Sequence, residues 1–251
     1  MKAAAIIPAR WASTRFPGKP LFTILGKPLV QHVWERCQKA RTLSEIIIAT
    51  DDMRIAETAF SFGAEVSLTS PKHQSGTDRV AEVAAKLRRV RHIINVQGDE
   101  PAVDPRLIDR LVQVLQRNPR LQMITAASAF ETESDALNPN NVKVVTARDG
   151  KALYFSRSRI PFDRDSSQHP KTGAPLWHIG IYGYRRDFLA QFVRWKPTPL
   201  ECTEKLEQLR ALEHGAAIQV VRTRHRALGV DTPEDVPRAE AALAGGSATQ
   251  T

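Results

Sequence analysis

Short apolar runs alternate with segments of helical period over the first 130 residues. Ala3 to Pro8, Glu45 to Thr50, Ala64 to Leu68, His92 to Val96 and Met123 to Ser128 are short and nearly continuous in apolar character, and read as buried strands. Helical segments lie between them: Pro28 to Ala40, with Leu29, Val33 and Cys37 at helical spacing, then Met53 to Gly63, Thr77 to Arg89 and Asp104 to Asn118. Strands alternating with helices of this length predict a parallel sheet covered on both faces, with ligands outside the carboxyl ends of the strands. After residue 130 the rhythm changes. Val142 to Ala147, Ala152 to Ser156 and Trp177 to Arg185 read as strands with no helix between each, which predicts a mixed-sheet extension. Glu201 to Gly215 reads as a helix, Ile218 to Thr223 as a strand and Thr232 to Leu243 as a closing helix. One α/β domain is expected over residues 1–245, with 246–251 a frayed tail.

Composition narrows the class. The chain has 251 residues, 42% hydrophobic and 25% charged, the profile of a globular domain rather than of a disordered, collagenous or coiled-coil chain. No apolar run approaches the ~20 residues of a membrane helix. Pro8 and Arg10 interrupt the apolar start too early for a signal peptide, so a cytoplasmic protein is expected. Cys37 and Cys202 cannot form a disulfide framework, and both are expected as buried thiols. Lys and Arg number 36 against 27 Asp and Glu, a net charge of +9. Arg88, Arg89 and Arg91 form one basic cluster; Arg222, Arg224, His225 and Arg226 form another. A solvated face, a nucleic-acid contact and an anionic small substrate all fit that charge. No aromatic side chains interleave with the clusters as a stacking platform would need, so no nucleic-acid partner is expected.

Candidate chemistry begins at the end of the first strand. Pro8 to Leu21 contains Pro17, Gly18 and Pro20, which forbid a regular helix, and a loop of this length in a compact α/β domain is usually functional. It places Arg10, Arg15 and Lys19 where a polyphosphate could lie; the alternative is three solvated side chains. Each cation within ~4 Å of a phosphate charge contributes on the order of 4 kcal/mol of Coulomb energy at an effective dielectric of ~20, before desolvation. The loop is neither a Walker motif nor a dinucleotide fingerprint.

Two acidic positions follow strands. Asp99, after Gly98 in NVQGDEP, is either a turn residue or a ligand for a hard cation. Asp231 in GVDTPED stands just outside a helix start in which Thr232 reads as the N-cap, Pro233 as the first helical residue and Asp235 as a capping acid. Such a carboxylate pair facing a triphosphate suits magnesium better than zinc. Asp51 and Asp52 read as a helix start. In HQSGTDR, Ser75 and Gly76 could offer backbone groups to a flat base, or the segment could be an ordinary helix start capped by Thr77.

The loop IIPARWASTRFPGKPL resembles the signature loop of 3-deoxy-manno-octulosonate (Kdo) cytidylyltransferases, the CMP-Kdo synthetases. The resemblance continues in order through HQSGTDRVAEV, NVQGDEP, NPNNVKVV, ALYFSRSRIPFDRD, HIGIYGYR, PLECTEKLEQLR and GVDTPEDV, covering nearly the whole chain. It implies a three-layer, glycosyltransferase-A-like fold with a mixed central sheet. Residues 1–130 would mainly bind nucleotide, and 131–225 would form a small sugar-binding and dimerisation extension. The activity implied is transfer of CMP from CTP to the anomeric hydroxyl of Kdo, releasing pyrophosphate, for lipopolysaccharide synthesis. Another keto-sugar acid, 8-amino-Kdo or a sialic acid, is the alternative acceptor. The resemblance assigns catalysis to Arg10, Arg15 and Lys19, Mg2+ to Asp99 and Asp231, and nucleotide binding to Pro8, Ala9, Arg10, Lys19, Gln74, Ser75, Gly76, Arg79, Gln97 and Asp99. Arg157 would meet the sugar carboxylate; His178, Tyr182, Glu207 and Gln208 would bind its hydroxyls. A homodimer is also implied. Trp11 departs from the tyrosine usual in this loop.

Overall fold

The computed structural model describes residues 2–12, 16–164, 175–226 and 228–245. The elements in chain order are β1 (Lys2–Ala9), β2 (Thr23–Ile24), β3 (Lys27–Pro28), α1 (Leu29–Gln38), β4 (Leu43–Thr50), α2 (Met53–Ser61), β5 (Glu65–Leu68), α3 (Gly76–Lys86), β6 (Val90–Asn95), α4 (Pro105–Arg117), β7 (Met123–Ala129), α5 (Glu133–Leu137), β8 (Lys143–Thr146), β9 (Ala152–Ser156), β10 (Leu176–Arg185), α6 (Arg186–Phe192), α7 (Pro199–Glu204), α8 (Gln208–Glu213), β11 (Ile218–Arg222) and α9 (Val236–Gly245). Short 3-10 turns occur at Lys19–Leu21 and Pro233–Asp235.

Among the described residues nine strands form one sheet, with the path β11-β7-β10-β6-β1-β4-β5 and β8 and β9 joined at β10. β1 is parallel to both β4 and β6, and β11 is parallel to β7. β10 is antiparallel to β6, β7 and β8, so the sheet is mixed, as the sequence predicts. β1 is buried almost throughout, as a strand covered on both faces must be. Its alternate residues feed two cores. Ala3, Ala5 and Ile7 pack with α1, α2 and α4 through Val33, Ile55 and Leu111. Ala4 and Ile6 pack with α3, α6 and α8 through Val80, Phe192 and Leu209. A third cluster joins Ile24 and Leu29 to Val230 and Ala239, which docks the last helix onto the β2–β3 hairpin.

From β1 the chain builds outward through β4 and β5, then crosses back to place β6 on the other side of β1. The carboxyl ends of β1 and β6 therefore flank a topological switch point, where open α/β sheets bind ligands.

Several local expectations need correction. The N-cap of α3 is Ser75 rather than Thr77: its hydroxyl accepts from Asp78 N–H, and Asp78 accepts from Ser75 N–H, both at 3.1 Å. The helix predicted over Glu201 to Gly215 is two helices, broken at Lys205 in a left-handed conformation (φ 54°). Cys37 is buried but Cys202 is exposed. The expected frayed tail, 246–251, lies outside the described residues. No helix among the described residues is long and apolar enough to cross a membrane.

Candidate active site

A cavity of about 410 Å³ opens at the switch point, lined by Pro8, Ala9, Arg10, Lys19, Gly76 and Arg79 on one side and by Gln97, Gly98, Asp99 and Asp231 on the other. Gly98 makes the close approach possible. A Cβ there would stand 2.7 Å from the Pro8 carbonyl oxygen, a contact no other residue could accommodate without moving the loop.

Lys19 is the first residue of a 3-10 turn whose N-cap, Gly18, is left-handed (φ 71°). A side chain at Gly18 would strike the Trp11 ring, which lies within 2.9 Å of the Cβ position. Gly18 N–H donates to Trp11 O at 3.1 Å, and the Arg54 guanidinium stacks 3.4 Å over the same ring. Trp11 thus closes the loop and aims Lys19 inward, a role that nothing in the sequence pattern signals. The Lys19 ammonium stands 2.6 Å from Asp99 Oδ2 and 3.4 Å from Asp231 Oδ1.

Asp231 reaches this point because its segment is stapled to the loop after β6. Val230 N–H donates to Asp99 O at 2.9 Å, and Leu228 N–H donates to Glu100 Oε2 at 3.1 Å. Burial, and next the neighbouring Asp99, push the Glu100 carboxyl up to about 7. Asp235 serves the cap: its Oδ2 accepts from Asp231 and Thr232 N–H at 2.9 and 3.0 Å. Asp52 caps α2, as predicted. Asp51 pairs instead with Arg79 at 2.9 Å, and Arg79 also donates to Thr69 Oγ1. Arg79, 3% exposed, is therefore a structural cation as well as part of the cavity wall.

None of the residues expected to bind the sugar lines this cavity; the link to them runs through Thr77, next to Gly76. Thr77 Oγ1 donates to Glu207 Oε2, linking α8 to the N-terminus of α3. Burial raises the Glu207 carboxyl, opposed by its bonds to Thr77 and Ser75. Gln208 is buried, and its Nε2 has no partner among the described residues. His178 is buried; desolvation pushes its imidazole down to about 3, and its ring lies 5.4 Å from that of Tyr182. The Arg157 guanidinium donates to three backbone carbonyls, Glu204 at 2.7 Å, Pro139 at 3.1 Å and Lys205 at 3.4 Å. Gln74 is exposed, bonded to Lys72 O at 3.3 Å and not in the cavity wall. Arg15 lies outside the described residues. Gln97 Nε2 donates to Asn95 Oδ1 at 3.2 Å.

A model of the cytidylyltransferase family matches residues 4–219. The chain is 53% identical over 245 residues to the 3-deoxy-manno-octulosonate cytidylyltransferase of Geobacter sulfurreducens, covering 95% of this chain and 98% of that one. It is 51% identical over 246 residues to the enzyme of the same name from Pelobacter propionicus, covering 95% and 96%. The chain belongs to the 3-deoxy-manno-octulosonate cytidylyltransferase family. A solved structure of CMP:2-keto-3-deoxy-manno-octonic acid synthetase complexed with CTP superposes on this cytidylyltransferase with a TM-score of 0.92 at 39% identity, covering 98% of this chain and all of that one. The nucleotidyltransferase fold is thereby shared along the whole length of the chain.

Proposed function

We propose that this cytidylyltransferase transfers CMP from CTP to the anomeric hydroxyl of Kdo, giving CMP-Kdo and pyrophosphate. The observation that carries the reading is the convergence of Lys19, Asp99 and Asp231, drawn from three separate segments, at a cavity beside the ends of β1 and β6. The triphosphate lies against Arg10 and Lys19, and the base lies against the α3 N-terminus at Ser75 and Gly76, with Arg79 in the same wall; Gln74 stays assigned to the base and Arg15 to catalysis by the family resemblance alone. In the reaction the anomeric oxygen of Kdo forms a bond to the α-phosphorus, its hydroxyl proton passes to solvent, and the bond from that phosphorus to the pyrophosphate oxygen breaks. Catalysis of this kind is positioning and charge stabilisation, and no covalent nucleophile is needed. Lys19 and Arg10 hold the developing negative charge on the leaving pyrophosphate.

Asp99 and Asp231 are the residues that would hold Mg2+. They fit it: two carboxylates already share one cation, the Lys19 ammonium, and carboxylate oxygens are the donors a hard divalent ion takes. Bound there, the ion supplies charge neutralisation and Lewis acidity to the α-phosphate. Beyond Gly76, Arg157 has two of its five N–H groups left for the sugar carboxylate. Gln208, with its buried unpaired amide, and Glu207, His178 and Tyr182 serve the hydroxyls. We assign the enzyme to the cytoplasm. Leu137 and Phe162 on the extension are 60% and 86% exposed, and we assign that apolar surface to a homodimer.

Incubation with CTP, Kdo and Mg2+ should release pyrophosphate and yield CMP-Kdo by mass spectrometry. Asp99→Asn should remove that turnover while leaving the circular-dichroism spectrum unchanged. Near-normal activity of that variant would refute the metal assignment, and preference for another keto-sugar acid would overturn the acceptor.

A further inference from the structure

β10 carries a bulge at its centre. Ile179 pairs with Ala126 and Tyr182 with Thr125, so Gly180 and Ile181 have no counterparts on β7. The bulge brings Gly180 against Gln97 of the nucleotide cavity, where a Cβ would lie 3.8 Å from Gln97 Cγ. It also turns two carbonyls onto one buried hydroxyl. Thr125 Oγ1, wholly inaccessible, is 2.8 Å from Ile181 O, 3.2 Å from Ile179 O and 3.0 Å from His178 Nε2.

A threonine hydroxyl has one hydrogen to give. Carbonyl oxygens cannot donate, so the Thr125 hydrogen belongs to them. Giving it to the imidazole would leave oxygen lone pairs facing each other at 2.8 Å in a dry interior, where unpaired polar contacts are most costly. The imidazole must therefore be the donor, through Nε2–H. Desolvation keeps the ring neutral, so its other nitrogen carries a lone pair. Nδ1 has no hydrogen-bond partner among the described residues, so its lone pair is left to accept from a ligand. Edge contact with Phe155, with ring centroids 5.0 Å apart, fixes the plane of the ring.

We propose that Thr125 is a positioning residue that locks His178 in the Nε2–H tautomer, so that Nδ1 accepts a hydrogen bond from a donor hydroxyl of the acceptor sugar. The tautomer follows from the bulge and the burial of the ring; the identity of the donor rests on the function proposed above. His178 then discriminates by the direction of the hydrogen bond: it receives a hydroxyl hydrogen and rejects a ligand presenting only an acceptor.

Nitrogen-15 correlation spectra of the imidazoles, with His178 assigned by His178→Gln, test the lock without any substrate. The wild-type ring should show a protonated Nε2 and a bare Nδ1 between pH 5 and 8. Thr125→Val should shift it toward the other tautomer or a mixture, and Thr125→Ser should restore the wild-type pattern. In steady-state kinetics Thr125→Val should raise KM for Kdo about tenfold, the effect of one lost hydrogen bond, with KM for CTP held within about twofold and rescue by Thr125→Ser. A wild-type Nδ1–H tautomer, or a charged ring at neutral pH, overturns the inference, and so does a tautomer shift in Thr125→Val with an unchanged KM for Kdo. If the wild type does not turn over Kdo at all, the proposed function fails, and the spectra still decide the tautomer.

Discussion

Lys19 is the sharpest place to perturb this site, because one substitution should move two measurements in opposite directions. Its ammonium bridges Asp99 at 2.6 Å and Asp231 at 3.4 Å, so the two carboxylate oxygens cannot be further apart than those contacts laid end to end. Two unit negative charges about 6 Å apart repel by about 3 kcal/mol at an effective dielectric of ~20. The Asp231 side chain is 49% exposed, so water screens most of that, leaving about 1 kcal/mol for a pair of this exposure. Lys19→Met therefore removes one cation from between the two carboxylates. In the absence of nucleotide it should bind Mn2+ several-fold to about tenfold more tightly than the wild type. The same variant loses a preorganised cation at the leaving pyrophosphate, and its turnover should fall by about 10²–10³. Free Mn2+ followed by electron paramagnetic resonance gives the first quantity, and pyrophosphate release gives the second. Equal or weaker Mn2+ binding by Lys19→Met would show that the ammonium does not compete for the metal carboxylates; near-normal turnover would remove it from the reaction.

Gly98→Ala puts a methyl group 2.7 Å from Pro8 O, so the loop carrying Asp99 must move; a loss of about 1–3 kcal/mol in urea denaturation and a fall of at least about tenfold in CTP affinity by calorimetry are expected. Arg79→Met strands Asp51 without its partner and should lower stability by about 2–4 kcal/mol; adding Asp51→Asn should recover much of the stability but none of the CTP affinity if Arg79 also serves the nucleotide. Glu82 accepts from Ser70 N–H at 2.9 Å and bonds His73 and Lys86, which together hold its carboxyl down to about 2 against burial. Its contribution is thus full above the unfolded-state value near 4.5 and disappears as the pH falls from there toward 2. The gap in urea midpoint between wild type and Glu82→Gln should be widest at pH 6 and shrink steadily as the pH falls below 4.5 toward 2; a constant gap would refute the assignment.

The strand-end geometry was legible because it depends on local patterns. A run such as Ala3 to Ile7 is a strand buried on both faces wherever it occurs, and the acids and cations after β1 and β6 follow at once from the rule about carboxyl ends. Local rules also misassigned residues whose side chains are engaged at long range. Thr77 is an acceptable cap, yet its hydroxyl goes to Glu207, 130 residues away, while Ser75 caps the helix. A helix through Glu201 to Gly215 is reasonable by period. It breaks at Lys205, beside Glu204, whose carboxylate is held by Ser156 Oγ at 2.6 Å and Arg157 N–H at 2.9 Å. The spacing of His178 and Tyr182 puts them on one face of β10, and their rings do lie 5.4 Å apart, but neither the burial of the imidazole nor the bulge at Gly180 and Ile181 between them is visible in the pattern.

Asp231 shows most clearly what pattern alone could not carry. Its sequence context explains only why the cap does not need its carboxylate: Thr232 and Asp235 already form the capping box. What brings it to Lys19, 212 positions away, is the cluster in which Val230 and Ala239 pack on Ile24 and Leu29, and the staple from Val230 N–H to Asp99 O. Those apolar contacts lie outside the two cores that cover the sheet, in a small satellite. The carboxylate pair should therefore come apart before the sheet does. Native-state hydrogen exchange should find Val230 N–H opening at a lower free energy than the amides of β1, because freeing the 228–231 segment exposes only that cluster, whereas freeing β1 exposes both cores. Uniform protection across the two would mean that the satellite and the sheet form one cooperative unit, and that the metal-binding geometry is as rigid as the fold beneath it.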